Sequence, residues 1–186
     1  MWVRIAWLTL AATLAGCGAP APTRPGAPAP SHASDQGPPG FPDLSTFTAV
    51  DPKPYLRLVL KSTHIGFTTP TLSCSWPYQD GGPIHYGASC TGVIPGMPDT
   101  AASKPEACDG IALAGDTAPV YRGVRTYTFV RGSGDCPAPP DQFRLTPGSK
   151  LSASSITCAV TQDGVACTDP IMNHGFVLSP AGSWSF

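Results

Sequence analysis

The sequence contains no apolar run long enough to cross a membrane as a helix. The run from Ile5 to Ala15 has about eleven residues, whereas a ~30 Å hydrocarbon core needs roughly 20. Clusters of Lys and Arg are also absent. The chain of 186 residues has 11 basic and 12 acidic residues, for a formal net charge of −1. This balance argues against a nucleic-acid partner and against electrostatic attachment to an anionic bilayer.

Several short motifs of known chemistry are missing as well. No two cysteines form a C-x-x-C pair, and the shortest spacing, nine residues from Cys158 to Cys167, argues against zinc. Neither a G-x-S-x-G nucleophile motif nor a D-x-[DN]-x-[DN]-G calcium loop occurs. Long helices have little room because 23 prolines and 20 glycines recur along the chain. We therefore predict no metal and no other cofactor.

The N-terminus has the features of an export signal. Arg4 gives a positive start, the short apolar run follows, and small residues then leave room for a peptidase. The stretch Leu14-Ala15-Gly16-Cys17 resembles a bacterial lipobox, in which the cysteine thiol is joined to diacylglycerol and becomes the new N-terminus. The resemblance implies a signal peptide over residues 1–16 and a Cys17 that anchors the protein to the outer face of the cell membrane. The alternative is ordinary secretion with a free Cys17 thiol.

A proline-rich segment follows Cys17. Gly18 to Gly40 has seven prolines in 23 residues and no Val, Leu, Ile or Phe, so it cannot bury enough apolar surface to fold. We predict that residues 17–40 form a disordered tether, which would reach up to ~70 Å as polyproline II. Apolar residues resume at Phe41, and the about 146 residues of 41–186 are a usual size for one domain.

Six further cysteines lie in this domain. An even number in an exported chain indicates a disulfide framework, although six cysteines allow 15 pairings. Local geometry favours Cys158–Cys167 first and Cys74–Cys90 second, which leaves Cys108–Cys136. Each bond would contribute ~2–4 kcal/mol, mostly by restricting the unfolded chain.

The first of these pairs depends on the register of a hairpin. The stretch ITCAVTQDGVACT predicts two strands around Asp163-Gly164. A four-residue loop would pair Val160 with Val165 and set Cys158 opposite Cys167. A two-residue Asp-Gly turn would instead leave the two cysteines diagonal.

The rest of the domain has short β-type runs between turn residues. The predicted strands are Leu72–Trp76, Thr126–Val130, Ser155–Val160, Val165–Thr168, Gly175–Ser179 and Ser183–Phe186. Leu56–Ile65 fits either a strand or a short helix, and Pro95–Asp109 is expected to be an irregular loop. These runs predict an all-β domain, a small disulfide-stapled β-sandwich or β-barrel behind the signal peptide and tether.

Three stretches in this order carry a family resemblance: Gly66-Phe67-Thr68-Thr69-Pro70 followed by Cys74, then Asp163-Gly164-Val165-Ala166-Cys167-Thr168, then His174-Gly175-Phe176-Val177-Leu178-Ser179. They resemble a family of exported actinobacterial domains, often found on mycobacterial lipoproteins, whose function is not established. Gly115-Asp116-Thr117 also fits, but Ala114 stands where that family tends to have a cysteine, and Cys136 is an additional thiol. The resemblance implies a compact disulfide-bonded domain and brings no catalytic residues.

His174 is the strongest candidate for catalysis in the sequence. Asp169 lies close enough along the chain to orient its imidazole as a general base. A serine or thiol in reach would then be needed as nucleophile, and Ser133 stands in a polar GSG loop without such a motif. The structural interpretation, which we favour, is that His174 opens the last strand and hydrogen-bonds to a neighbouring turn. His64 and His85 would form a metal site with it only if folding gathers all three.

Carboxylates and aromatic residues allow two further interpretations. Five aspartates stand beside a glycine: Asp80, Asp109, Asp116, Asp135 and Asp163. This pairing is first a turn signature, because both residue types tolerate left-handed backbone geometry. Six aromatic residues could stack on a sugar or lipid but more often fill the core of a small β domain: Trp76, Tyr78, Tyr86, Tyr121, Tyr127 and Trp184.

These observations favour a non-enzymatic, lipid-anchored domain that binds a cell-envelope component or another exported protein. Its expected partners are the membrane, through the lipid on Cys17, and one such envelope molecule. One alternative is an envelope hydrolase that uses His174. Another is a lipid carrier with an apolar cavity of several hundred Å³.

Overall fold

The computed structural model describes residues 37–78, 87–113 and 126–186, which form thirteen strands and two short 3-10 helices. The helices, Leu44–Thr46 and Lys53–Tyr55, have three residues each. No helix in this part of the chain has the length and hydropathy needed to cross a membrane. The predicted all-β class is confirmed. The predicted signal peptide, Cys17 and nearly all of the tether lie outside the described residues.

The strands are named in chain order. They are β1 Thr48–Ala49, β2 Leu56–Val59, β3 Ser62–Thr68, β4 Leu72–Pro77, β5 Ser89–Gly92, β6 Ala102–Ser103, β7 Asp109–Leu113, β8 Tyr127–Arg131, β9 Ser149–Ala153, β10 Ile156–Val160, β11 Val165–Asp169, β12 His174–Leu178 and β13 Trp184–Ser185.

The strands form two sheets. One has six strands in the order β1-β9-β10-β11-β12-β13, and the other has seven in the order β2-β3-β4-β5-β7-β8-β6. All neighbours are antiparallel except β1 with β9 and β6 with β8. In β4, which the sequence predicted as a strand, the burial alternates, with Leu72, Cys74 and Trp76 buried and the serines between them half-buried.

The two sheets face each other across one common core. The Trp76 indole in β4 donates a hydrogen bond of 3.2 Å to the carbonyl oxygen of Ala153 in β9. The rings of Tyr127 in β8 and Phe176 in β12 meet edge to face with centroids 4.9 Å apart. Because the core lies between two separate sheets, the fold is a β-sandwich, one of the two architectures that the sequence left open.

A second buried cluster lies on the outer face of the six-stranded sheet. Its members come from the N-terminal segment and from that face: Phe41, Leu44, Phe47, Ala159, Ala166, Val177 and Trp184. The Lys150 ammonium joins the two layers by donating to the Leu44 carbonyl oxygen at 2.8 Å. All five residues of β11 are therefore buried, whereas a strand with one solvent-exposed face would bury only alternate residues.

The three disulfides pair as the sequence analysis favoured. Cys158 is bonded to Cys167, Cys74 to Cys90, and Cys108 to Cys136. Cys158 faces Cys167 directly in the β10–β11 register, and Val160 faces Val165 across the loop, so the four-residue loop is the correct one. The first two bonds lie in the common core, so they hold strands together at the centre of each sheet.

The structure decides one prediction that the sequence left open and corrects another. Leu56–Ile65 is neither one strand nor a helix but most of a hairpin, in which β2 and β3 are joined by Leu60 and Lys61. Pro95–Asp109, predicted to be an irregular loop, contains the short strand β6, because its backbone pairs with β8 over Ala102 and Ser103. Two residues with long-range pairing leave no local pattern to detect.

Glycine at position 164 is required by a close approach of two backbones. An added Cβ there would lie 1.8 Å from the Leu178 carbonyl oxygen. We expect Gly164→Ala to lower the free energy of unfolding by about 1–3 kcal/mol, as overpacking does. Urea unfolding of the disulfide-intact protein measures this change.

Gly110→Ala is the matched control, because an added Cβ at this strand position meets its nearest atom at 3.9 Å. It should leave stability unchanged or raise it by about 0.4–1 kcal/mol through the unfolded chain. Equal effects of the two substitutions would contradict the close approach.

Candidate functional site

His174 and Asp169 face each other in the β11–β12 register, but their side chains have different partners. The His174 Nδ1 lies 3.3 Å from the Phe186 carbonyl oxygen. The buried Asp169 carboxylate accepts from the Ser155 hydroxyl and from the Ile171 amide, both at 3.1 Å. The carboxylate thus organises the turn before β12, and the imidazole packs against the end of the chain.

The other histidines are not brought to His174 by the described residues. His64 lies in β3 of the other sheet, and His85 lies outside the described residues. Within residues 37–78, 87–113 and 126–186, no three His, Cys, Asp or Glu side chains are grouped so that they could hold a metal ion.

The aspartates beside glycines are dispersed. Asp109 accepts a hydrogen bond from the Gly132 amide at 3.0 Å and so ties the start of β7 to the loop after β8. Asp135 is exposed, and Asp163 lies in the β10–β11 loop. Asp80 and Asp116 lie outside the described residues.

The aromatic residues mostly fill the core. Trp76 and Tyr127 are buried between the sheets, and Tyr78 is half-buried against the same core. Trp184 packs in the outer cluster. Tyr86 and Tyr121 lie outside the described residues.

A pocket of about 280 Å³ opens at one end of the sandwich, between the ends of the two sheets. We name it the loop-end pocket. Its apolar wall consists of Pro70, Leu72, Pro95, Leu145, Pro147 and Val160. Its polar rim contains Thr69, Thr71, Arg144, Thr146, Thr161, Gln162 and Asp163. The pocket is thus mostly apolar with a few polar groups, the usual make-up of a small-ligand site.

Three segments form most of the walls of this pocket: the β3–β4 turn, residues 144–147 and the β10–β11 loop. Backbone hydrogen bonds hold each of them in place. The β3–β4 turn closes through the Thr69 amide and the Leu72 carbonyl at 2.8 Å, and the Thr69 hydroxyl accepts from the Leu72 amide at 3.0 Å. The Leu145 amide donates to the Thr68 carbonyl at 3.0 Å. The β10–β11 loop closes through the Thr161 amide and the Gly164 carbonyl at 2.9 Å. The walls are therefore set before any ligand arrives.

Two disulfides reinforce the same walls. The strand after the β3–β4 turn carries Cys74, and both strands of the β10–β11 hairpin are joined by Cys158–Cys167. Loops on a rigid scaffold are where binding residues concentrate, because they can vary while the scaffold holds them. Sequence stretches that are far apart in the chain, around Thr69 and Asp163, meet at this pocket.

Charge at the rim is asymmetric. Arg144 forms an ion pair with Asp141. The exposed Asp163 carboxylate makes no hydrogen bond or ion pair with another described residue. Asp163 also borders a neighbouring hollow of about 440 Å³ on the other side of the β10–β11 loop. The rim can therefore receive a hydrogen-bond donor or a cation beside an apolar group.

Arg57 is a functional candidate that the sequence analysis missed. Its half-buried guanidinium lies over Gly66, where an added Cβ would overlap it, and donates to the Cys74 carbonyl oxygen at 3.3 Å. It also sits 5.5 Å from the centre of the Phe143 ring. The buried Nε has no hydrogen-bond partner among the described residues, and burial lowers the pKa of the side chain. The sequence signal for it is Gly66, which lies two positions after His64, the residue that pairs with Arg57 across the hairpin.

Comparison of the chain with known protein families, with curated proteins and with solved structures finds no match.

Arg57 also affects the titration of its cross-strand partner His64. Burial first, and the charge of Arg57 second, lower the His64 pKa below its ordinary value of 6.5. The folded protein therefore binds this proton less readily than the unfolded chain does. The stability associated with neutral His64 is present above pH 6.5 and is lost as the pH falls below it.

We expect His64→Gln to reduce the loss of stability between about pH 7 and pH 5, because glutamine does not titrate there. Urea midpoints measured across this range test the expectation. Arg57→Met, which removes the neighbouring charge, should reduce the loss by a smaller amount. An identical pH profile in wild type and His64→Gln would show that this histidine does not contribute.

Proposed function

We propose that this chain is a lipid-anchored protein of the outer face of the cell membrane, and that its β-sandwich is a non-catalytic binding module. The ligand that we propose is a cell-envelope component, or a segment of another exported protein, that places an apolar group in the loop-end pocket. The resemblance to exported actinobacterial lipoproteins supports the same location. The loop-end pocket is the observation that carries the binding role.

The anchor rests on the order of features at the N-terminus. A short charged and apolar segment, a Leu-Ala-Gly-Cys sequence ending at Cys17, and a proline-rich run follow one another. Two or more acyl chains hold a protein stably at a bilayer, so no membrane-spanning element is required. The three disulfides are consistent with this proposal, because such bonds persist in oxidising compartments outside the cytosol.

The binding role rests on the build of the pocket. Its three walls are hydrogen-bonded and disulfide-supported, so a ligand would lose little of its affinity to ordering the protein. The apolar wall favours an apolar group, and the unpaired Asp163 carboxylate favours a donor or a cation next to it. A ligand with both features would match the site.

The two alternatives fit the geometry less well. A hydrolase using His174 needs an orienting carboxylate, and the Asp169 carboxylate is engaged by Ser155 and the following turn. A lipid carrier needs space between the sheets, and that space holds the buried rings of Phe67, Trp76 and Phe176. We therefore propose binding at the end of the sandwich and not within it.

The anchor predicts a simple fractionation result. Cys17→Ser should move the protein from the membrane fraction to the soluble extracytoplasmic fraction, because serine cannot carry the thioether-linked lipid. Mass spectrometry of the wild-type chain should find Cys17 as an acylated N-terminus. Cys108→Ser with Cys136→Ser is the matched control, since it removes the one disulfide outside the common core without leaving a free thiol and should leave the protein with the membrane. A wild-type chain with an unmodified Cys17 would contradict the anchor.

A large side chain that fills the loop-end pocket should displace its ligand. Thr71 is exposed at the rim, so Thr71→Trp should occupy the pocket and weaken ligand retention at least about tenfold, or about 1.4 kcal/mol. Native mass spectrometry of the protein purified from its own envelope measures the retained ligand. Thr91→Trp, at an exposed threonine of β5, is the control and should retain it. Equal retention by both variants would place the ligand elsewhere.

A further inference from the structure

The hairpin of β2 and β3 ends in an exposed apolar tip. Residues 58–63, which we name the β2–β3 tip, are all exposed. Leu58 is 75 % exposed and Leu60 is 96 % exposed, with Val59 at 41 % between them. Large apolar side chains that stand together in water usually mark a surface that another molecule covers.

The turn at this tip is poorly suited to its residues. Val59 pairs with Ser62, so Leu60 and Lys61 form a two-residue loop, with φ angles of 46° and 72°. Two left-handed residues in a two-residue hairpin loop favour Asn-Gly, because a larger side chain is strained there. Turn geometry therefore does not explain why Leu and Lys stand at these positions, and departures of this kind are expected at functional sites.

The tip lies at the end of the sandwich away from the loop-end pocket. β3 runs from the tip to Thr69 at the pocket, and β11 runs from Gly164 at the pocket to the turn that contains Ile171. The contact between Trp76 and Ala153 joins the two sheets near the tip end. Ile171 is itself 64 % exposed, so a fourth large apolar side chain belongs to the same end of the molecule.

The N-terminal segment enters the domain toward this end. The Phe41 ring packs on the Phe186 ring, with centroids 5.5 Å apart. The backbone of Phe186 pairs with Gly175 at the start of β12, next to the turn that contains Ile171. Cys17 lies only 24 residues before Phe41, so a membrane that holds Cys17 is within reach of the tip.

Local charge also suits an anionic surface. Residues 52–78 contain no Asp or Glu, so no carboxylate of this hairpin opposes Lys61. Asp51 stands just before them and accepts from the Lys53 amide. Lys61 is at the turn itself, where its ammonium can meet a phosphate while the leucines enter the apolar boundary.

We propose that the β2–β3 tip, with Ile171, inserts into the interface of the anionic phospholipid bilayer that holds the Cys17 lipid. The inference rests on the proposed anchor and adds an orientation to it. A protein partner would need about 800 Å² of complementary surface on each side, which a protruding six-residue tip does not provide. A bilayer needs no complementary shape. With the tip inserted, the loop-end pocket faces away from the membrane.

The test uses the lipidated full chain in vesicles of phosphatidylcholine with phosphatidylglycerol. A bilayer-sensitive dye is placed at Leu60→Cys or, as the control, at Val93→Cys. Val93 is also an exposed apolar residue, 57 % exposed, but its amide bonds to Thr71 at the pocket end. Brominated lipid should quench the dye at position 60 and leave the dye at position 93 unquenched.

A second variant changes the tip without destabilising the fold. Leu60→Asn with Lys61→Gly suits the turn, so the protein should gain thermal stability. The same variant in an unlipidated Cys17→Ser chain should lose vesicle flotation by roughly tenfold relative to Cys17→Ser alone. Loss of flotation in a more stable protein would support insertion directly.

Three results would overturn the proposal: a dye at position 60 that is not quenched, equal quenching at positions 60 and 93, or unchanged flotation of the turn variant. A dye response at position 60 that depends on protein concentration without vesicles would assign the tip to a second copy instead. The fractionation of Cys17→Ser is a separate measurement, so a missing anchor and a non-inserting tip are distinguishable.

Discussion

Val160 and Val165 face each other across a four-residue loop, and much of the molecule follows from that register. It sets Cys158 opposite Cys167 and turns both toward the other sheet. A slip of one residue would reverse every side chain of one strand, exposing its core residues and separating the sulfur atoms. The same loop forms one wall of the loop-end pocket, so the constraint that orders the core also shapes the candidate site.

The two ends of the sandwich differ in chemistry because different connections are gathered there. At the pocket end, turns rich in proline and threonine are bonded to one another and supported by disulfides behind them. At the other end, the β2–β3 hairpin carries leucines that are largely exposed. A single small domain thus offers a rigid pocket at one end and exposed apolar side chains at the other.

Local signals were sufficient for much of the fold and for little of the site. The cysteine pair of the β10–β11 hairpin was predictable because nine residues and one turn determine its geometry. The β2–β3 hairpin was ambiguous because Leu60 and Lys61 carry none of the usual turn chemistry. The pocket could not be foreseen, since its walls are far apart in the chain and meet only through tertiary pairing. Arg57 was overlooked for a different reason: its hairpin was not recognised, so Gly66 could not be placed beneath its side chain.

The layer formed by Phe41 and Leu44 has a consequence for the order in which the domain can form. These residues pack on β10, β11 and β12, and β1 pairs with β9, about a hundred positions later in the chain. In a chain synthesised from its N-terminus this segment comes first, yet the strands on which it packs come about a hundred residues later. Such non-local pairing slows folding, so the segment would stay unprotected until the strands β9 to β12 have been synthesised.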